Sequence, residues 1–228
     1  EKTYCYQKKG GKEVKRKAWF IMKNILIIGG TKGIGKSIVD NLVDDNNITC
    51  LSRNKLDFQH QNFVHEEFDA LSDEYPEMDS LDCLIYCPGS INLKPISTLT
   101  LEDFRNDFEI NVIGAVKAIK KYLPLLKKSP SASILLFSTV ATKLGMPYHA
   151  SVSVAKSGVD GLVKTLGSEL APKVRINAIA PTITNTDLAS KILRNEKVIE
   201  NMIERHPLKK ILSSSEVAKM ASFLISED

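Results

Sequence analysis

Four glycines, at positions 29, 30, 33 and 35, lie between an apolar run and a helical pattern. The apolar run, residues 25–28, has the composition of a strand buried on both faces, and residues 34–43 have the pattern of a helix. Glycines at a strand-to-helix turn let the backbone approach an anion, because side chains are absent and the first N–H groups of the helix are free. The stretch therefore predicts a pyrophosphate-binding turn of the dinucleotide type, with a simple tight turn as the alternative.

Two basic residues indicate which dinucleotide is bound. With an unmodified ribose, the second strand usually ends in Asp or Glu, which accepts a hydrogen bond from the 2′-hydroxyl. Here Ser52 and Arg53 follow that strand, and Lys32 adds a positive charge in the glycine turn. A guanidinium can hold a 2′-phosphate bidentately, so the pattern favours NADP (NADPH) over NAD. The alternative is that Arg53 only covers the adenine edge. Asp69 either caps the adenine amino group or lies on the surface.

The loops that carry these residues connect short apolar segments that alternate with helical patterns. The predicted strands are residues 25–28, 48–52, 62–65, 81–86, 133–137 and 174–178. Helices are predicted at 34–43, from Thr100 onward, and at 151–170, 188–205 and 215–225. Thr100 and Asp103 form a predicted capping box, and Pro124 should kink or end that long helix. The alternation predicts a single-domain, Rossmann-like α/β fold: a doubly wound parallel sheet in a three-layer α/β/α arrangement.

Length and charge exclude several kinds of partner. At 228 residues the chain suits one domain, and no apolar run approaches the ~20 residues of a membrane helix. The net charge of +4 is uneven, because residues 1–21 carry seven Lys or Arg and two Glu, which leaves residues 22–228 at −1. We therefore expect no nucleic acid and no membrane as partners. Residues 1–21 are predicted to be a disordered or extraneous extension, and residues 22–228 the dinucleotide-binding domain.

Cysteine and histidine spacing predicts no metal site. No CxxC pair and no histidine pair at helical i,i+4 spacing occurs. Cys50 and Cys83 fall in predicted strands and are expected to be core residues in a reducing cytoplasm. Cys87 follows a strand, where it is either a reactive thiol or a small packing residue.

From Met22 onward the chain resembles the short-chain dehydrogenase/reductase superfamily. The segments that carry the resemblance are GGTKGIG at 29–35, INVIGA at 110–115, FSTVAT at 137–142, AKSGVDGL at 155–162 and RINAIAPTITNT at 175–186. The resemblance implies a Rossmann-like domain and NAD(P)-dependent hydride transfer at a carbonyl, a hydroxyl or an activated double bond. It also implies a homodimer or homotetramer built on the two long helices.

The sequence departs from the family at the residue that transfers the proton. In the family this residue is a tyrosine four positions before a lysine, and the lysine lowers its pKa and binds the nicotinamide ribose. Lys156 is present, but Val152 stands at the tyrosine position. The family's serine, thirteen positions before the tyrosine, corresponds to Thr139, which keeps a hydroxyl, and Asn111 is kept too. The resemblance therefore implies an atypical member that lacks the usual catalytic tyrosine.

Three interpretations of this departure remain open. Enoyl reductases of the superfamily place their tyrosine seven positions before the lysine, where this chain has His149 with Tyr148 beside it, and either could be the acid. Alternatively, Lys156 and Thr139 relay a proton through a bound water. In the third interpretation the domain binds NADP but is catalytically silent, a sensor or scaffold subunit.

The expected function is an NADP(H)-dependent oxidoreductase of the cytoplasm that acts on a small carbonyl, hydroxyl or enone-type molecule. Apolar loop residues favour a modestly hydrophobic substrate, and residues 188–206 should form a mobile lid. The expected catalytic residues are Asn111, Thr139, Lys156, His149 and Tyr148. The residues expected to bind the cofactor are Gly29, Thr31, Lys32, Gly33, Ile34, Gly35, Ser52, Arg53, Asp69, Gly89, Asn111, Lys156, Pro181, Ile183 and Thr186.

Overall fold

Six parallel strands form the central sheet of the computed structural model, which describes residues 4–9, 12–17, 22–190 and 192–227. The strands are β3 (Asn24–Ile28), β4 (Asn47–Ser52), β5 (Phe63–Glu67), β6 (Cys83–Tyr86), β7 (Ala132–Phe137) and β8 (Val174–Ile179). Their spatial order is β5-β4-β3-β6-β7-β8. The helices are α1 (Gly33–Leu42), α2 (Leu101–Phe108), α3 (Gly114–Leu126), α4 (Ala150–Leu170), α5 (Glu196–Arg205) and α6 (Ser214–Ile225). The predicted Rossmann-like parallel sheet is confirmed.

Two short pairs of strands lie outside this sheet. β1 (Tyr4–Lys9) and β2 (Lys12–Lys17) pair antiparallel in a sheet of their own, so the backbone groups of these residues bond one another. This hairpin falls within the extension that was predicted to be disordered, and the composition of the segment alone did not indicate the hairpin. The domain boundary at residue 22 stays a prediction. β9 (Thr184–Asn185) and β10 (Leu212–Ser213) pair in parallel.

Alternation along the strands divides the core into two layers. Ile25 and Ile27 of β3 pack on one face of the sheet with α1 and α6, whereas Leu26 and Ile28 pack on the other face with α3 and α4. All four side chains are at most 1% exposed. A parallel sheet covered on both faces needs such continuously apolar strands. The same pattern leaves polar residues for the loops at the strand ends.

The long helix predicted from Thr100 is interrupted. Its capping box is confirmed, because the Thr100 side chain accepts from the Asp103 N–H and the Asp103 side chain accepts from the Thr100 N–H. A π-helical turn, Glu109–Ile113, separates α2 from α3, and such turns often mark functional positions in a helix. Pro124 lies in the last turn of α3, which ends at Leu126.

The region predicted as a lid helix is divided into two pieces. A 3₁₀ turn, Asp187–Ala189, is separated from α5, whose N-cap Asn195 accepts from the Val198 N–H. Local capping therefore starts a second helix where the sequence pattern suggested a continuous one. Within the described parts of the chain, no helix is long and apolar enough to cross a membrane.

Candidate active site

A crevice opens at the carboxyl ends of β3 and β6. These strands are neighbours in the sheet, but the chain proceeds from β3 toward β4 on one side and from β6 toward β7 on the other. Loops that diverge in this way leave a ligand-sized space between them. The two loops meet at Gly29, where an added Cβ would lie 3.2 Å from Pro88 Cδ.

The glycine turn has the geometry of an anion site. Gly29 and Gly33 have φ of +79° and +52°, which side chains disfavour. A Cβ on Gly35 would lie 2.2 Å from the Gly29 carbonyl oxygen, so only glycine fits there. α1 begins at Gly33, and its N-cap Lys32 makes no side-chain cap. The first N–H groups of α1 are therefore free of a protein cap and face the turn.

A cavity of about 460 Å³ adjoins the start of α1 and reaches the segment after β8. Thr186 packs directly against Gly33 in its wall, since a Cβ on Gly33 would lie 3.3 Å from Thr186 Cβ. The residues that line the cavity are Gly33, Lys36, Ser37, Asn185, Thr186, Asp187, Ser190, Leu193 and Ser214. The structure thus brings the predicted turn and the predicted Thr186 together.

The residues predicted to select the ribose differ in accessibility. Arg53 and Lys32 are exposed, and no hydrogen bond or ion pair within the described ranges involves either charged group. Ser52 is buried, and its Oγ lies 2.9 Å from His65 Nε2 and donates to the Asn54 carbonyl at 3.0 Å. Asp69 accepts from the Leu71 N–H at 2.9 Å. The two cations therefore face solvent, whereas the side chains of Ser52 and Asp69 are already hydrogen-bonded within the protein.

Lys156, Asn111 and Gly89 lie next to one another. Lys156 is 8% exposed, and its Nζ donates to the Phe137 carbonyl oxygen at 2.7 Å. A Cβ on Gly89 would lie 3.0 Å from Asn111 Oδ1 and 3.3 Å from Lys156 Nζ, so glycine is needed between them. Burial lowers the pKa of Lys156 to about 8. An ammonium in this place can polarise a ligand oxygen or transfer a proton near neutral pH.

Asn111 is fixed by two residues that the sequence analysis did not single out. Its Nδ2 donates to the Asp107 carbonyl oxygen at 2.7 Å and to Ser90 Oγ at 3.0 Å. Ser90 in turn donates to Asp107 Oδ1 at 2.5 Å, and Asp107 is 2% exposed. The signal in the sequence is a polar i,i+4 pair, Asp107 and Asn111, at the edge of an apolar stripe. Asn111 Oδ1 is buried without a partner among the described residues and remains available to a ligand.

Two adjacent hydroxyls follow β7. Thr139 is half-buried, and its Oγ1 accepts from the Ala141 N–H at 3.3 Å as the N-cap of a 3₁₀ turn. Ser138 is 4% exposed, and its Oγ makes no hydrogen bond with any residue that the structure describes. Thr139 therefore has a hydroxyl proton to donate while its oxygen caps the turn.

The predicted proton donors lie at the start of α4. His149 is its N-cap, and its Nδ1 lies 2.7 Å from the Pro147 carbonyl oxygen. Because a carbonyl only accepts, this contact assigns the hydrogen to Nδ1 and leaves Nε2 for a ligand. Tyr148 is 60% exposed at φ +66°, and Val152 is 5% exposed. His149 precedes Lys156 by seven residues, a rise of about 10 Å along the same helix face.

The remaining predicted cofactor residues lie in different surroundings. Thr31 is half-buried in the glycine turn, whereas Ile34 packs against the core on the α1 side. The Pro181 carbonyl accepts from the Val140 N–H, and the Ile183 carbonyl accepts from the Leu212 N–H, both at 3.3 Å. The first bond holds the loop after β8 beside the loop after β7, and the second holds it beside β10, which precedes α6.

Cys87 lies in the crevice as a half-buried thiol. Burial raises its pKa far above the ordinary range, so the sulfur is neutral at physiological pH and is not an activated nucleophile. In the described ranges, no group of three His, Cys, Asp or Glu residues is placed to hold a metal ion.

Known proteins of similar sequence span almost the whole chain. A family model described as enoyl-(acyl carrier protein) reductase matches residues 31–228. The chain is 26% identical over 227 residues to the 3-oxoacyl-(acyl-carrier-protein) reductase FabG of Buchnera aphidicola, covering 90% of this chain and 91% of that protein. It is 30% identical over 225 residues to a tropinone reductase homologue of Arabidopsis thaliana, covering 89% and 84%.

Solved structures share the fold. ElxO with NADP bound superposes with a TM-score of 0.83 at 26% identity, covering 91% of this chain and 93% of that one. The 3-ketoacyl-(acyl-carrier-protein) reductase from Brucella melitensis, complexed with NADH, has a TM-score of 0.79 at 20% identity, covering 90% and 91%, and so supports the fold alone. The family match, the 30% relative and the six-stranded sheet together identify the chain: it belongs to the short-chain dehydrogenase/reductase superfamily of oxidoreductases.

Proposed function

We propose that this oxidoreductase uses NADP(H) to transfer a hydride to or from a small carbonyl, hydroxyl or enone-type substrate. The observation that carries the proposal is the buried Lys156 ammonium beside Gly89 and Asn111, at the carboxyl edge of the sheet. Within the described part of the chain, Asn111 Oδ1 and two N–H groups of Lys156 have no partner there. These groups can bind a ribose and a reacting oxygen.

The crevice and the glycine turn fit a nicotinamide dinucleotide. The free N–H groups at the start of α1 suit a pyrophosphate, and the cavity of about 460 Å³ beside Thr186 continues from that turn. Arg53 and Lys32 are exposed cations that suit a 2′-phosphate, which supports NADP over NAD. ElxO, at 26% identity, has been solved with NADP bound. Such a cofactor would supply or accept the hydride, and the chain's own residues would manage the proton.

His149 is the favoured proton donor of the three interpretations. Val152 cannot transfer a proton, so we propose an active site without the family's tyrosine. His149 has a free Nε2 on the face of α4 that carries Lys156, whereas the Tyr148 side chain is largely exposed. A water held by Lys156 and Thr139 is the second route, because both retain N–H or O–H donors.

The alternative is a catalytically silent NADP-binding sensor or scaffold subunit. The buried, apolar Val152 favours this alternative, because a site that still binds the cofactor would lack an acid next to Lys156. Nucleotide binding alone does not separate the two functions, since both require it.

Steady-state oxidation of NADPH against a panel of carbonyl and enone compounds tests the proposal. We expect turnover with at least one class of compound, and a loss of about 100-fold in His149→Ala with little change in Tyr148→Phe. If both variants keep full activity, the water route replaces the side-chain acid. Tight NADPH binding without any turnover in the wild-type chain would establish the silent alternative, and turnover gained in Val152→Tyr would identify the missing acid as its cause.

The assembly and compartment are part of the same proposal. Exposed apolar side chains on α2 and α4, including Leu101 and Val154, support a homodimer or homotetramer built on these helices. Cys50, Cys83 and Cys87 are free thiols, which supports a reducing cytoplasm. The exposed Leu144, Met146 and Leu188 around the crevice support a modestly hydrophobic substrate.

A further inference from the structure

Two charged side chains, Asp107 and Lys156, are buried in the described part of the chain, at 2% and 8% exposure. A buried charge without a partner is strongly unfavourable, so two buried charges of opposite sign are expected to stabilise each other. They make no direct ion pair, because none of the ion pairs among the described residues joins them. Any interaction between them therefore acts through space or through the groups that lie between them.

A chain of polar groups lies between the two charges. Asp107 Oδ1 accepts from Ser90 Oγ at 2.5 Å, and Ser90 Oγ accepts from Asn111 Nδ2 at 3.0 Å. The other end of the Asn111 amide, Oδ1, faces the space beside Gly89 into which Lys156 Nζ also projects. The carboxylate, the hydroxyl and the amide therefore form a hydrogen-bonded chain that ends at Asn111 Oδ1, beside the space that Lys156 Nζ also borders, and the described residues show no hydrogen bond between Oδ1 and Nζ.

The charges around Lys156 come from three elements. Burial has the largest effect on the pKa of Lys156 and lowers it. Cys87 after β6, Asp107 on α2 and Asp160 on α4 act in the opposite direction and raise that pKa. Cys87 is a neutral thiol near pH 7, because burial raises its pKa far above that pH. Asp160 is more exposed than Asp107, so water screens it more. Asp107 is therefore the main source of negative charge for Lys156 at neutral pH.

We propose that Asp107 is the buried counter-ion of Lys156, a positioning residue that acts through Ser90 and Asn111 and keeps the ammonium protonated at neutral pH. The catalytic consequence rests on the proposed function, but the charge pairing does not. The pairing therefore has a test that needs neither substrate nor cofactor.

The first test measures unfolding by urea between pH 6 and 10.5 for the wild-type chain and Lys156→Met. The pKa of Lys156 is about 8 in the folded chain and 10.5 as its ordinary value. Between these values the unfolded chain binds more protons, so the wild type gains stability relative to Lys156→Met as pH rises. Removing the negative charge of Asp107 lowers the pKa of Lys156 in the folded chain. We therefore expect the gain in stability to start about one pH unit lower when both chains also carry Asp107→Asn.

Asp160→Asn is the matched control and should move the onset less than Asp107→Asn does. An unchanged onset in Asp107→Asn, or an equal shift in Asp160→Asn, would overturn the counter-ion role. If Asp107→Asn does not fold, Asp107→Ser removes the same charge and carries the same expectation.

The second test applies to the active enzyme. The pH at which the rate falls should be lower by about one unit in Asp107→Asn and unchanged in Asp107→Glu, which keeps the charge. A purely structural role would instead lower kcat equally at every pH, which would contradict the proposal. If no substrate is turned over, the proposed function fails while the urea test still decides the pairing.

Discussion

Lys156 uses one of its three N–H donors on the Phe137 carbonyl, which leaves two for a ligand. Its burial disfavours the charged form, and this brings the pKa down to about 8. A lysine at its ordinary pKa would stay charged through the physiological range. This one loses its charge at a pH that an assay can reach.

We expect the rate of NADPH-dependent reduction to fall above a pH of about 8, because the deprotonated amine can neither polarise the substrate oxygen nor supply a proton. Initial rates between pH 6 and 10 would measure this. Lys156→Met should lower kcat/KM by about 100-fold or more. Lys164→Met, at an exposed position of the same helix, is the control, and a similar loss in it would refute the assignment.

Arg53 provides the prediction for cofactor choice. A guanidinium that binds a 2′-phosphate contributes a charge-assisted hydrogen bond, so Arg53→Asp should change the NADPH to NADH preference by about 10- to 100-fold toward NADH. Ratios of kcat/KM, or of Kd in a silent protein, measure it. Lys55→Asp introduces the same charge change at another exposed position nearby. Equal ratios in the two variants would remove Arg53 from the ribose site.

At the scale of the elements, the glycine turn depends on close packing between β3 and α1. A Cβ on Gly35 would meet the Gly29 carbonyl oxygen at 2.2 Å, and the backbone cannot yield without moving the helix. Gly35→Ala should therefore lower the free energy of unfolding by about 3 kcal/mol or more, and weaken nucleotide binding too.

Gly161→Ala, in the middle of α4, is the matched control. A Cβ there would meet nothing within 4 Å, so the substitution should stabilise the protein by about 0.5–1 kcal/mol through helix propensity. Urea denaturation compares the two variants. A mild effect at Gly35 would contradict the close approach of the turn and the strand.

At the scale of the whole molecule, α2 and α4 pack together and still present apolar residues outward. Leu101 is 74% exposed and Val154 is 57% exposed. If these helices form the dimer interface, Leu101→Glu and Val154→Glu should shift the molecular mass in solution toward the monomer, as light scattering would measure. Val64→Glu, at an exposed position of β5, should leave the mass unchanged. A monomeric wild type would contradict the proposed assembly.

Sequence patterns predicted a helix, a strand or a turn correctly where residues close together in the sequence determine it. The apolar run of β3, the glycines before α1 and the Thr100–Asp103 capping box all act within a few residues. The π-helical turn around Asn111 was not indicated, because an apolar stripe at helical spacing looks continuous through it. The break between Ala189 and Glu196 was missed for the same reason.

The sequence by itself determined the class of fold, the glycine turn between the first strand of the sheet and α1, and the presence of Lys156 and Asn111. Periodicity and glycine chemistry are local properties, so one chain is enough to read them. Only the tertiary structure decided that Asp107 and Ser90 join Asn111, that Gly89 separates Asn111 from Lys156, and that Lys156 is buried. Burial and long-range contacts depend on which elements pack together, and that packing sets the charge of the buried lysine.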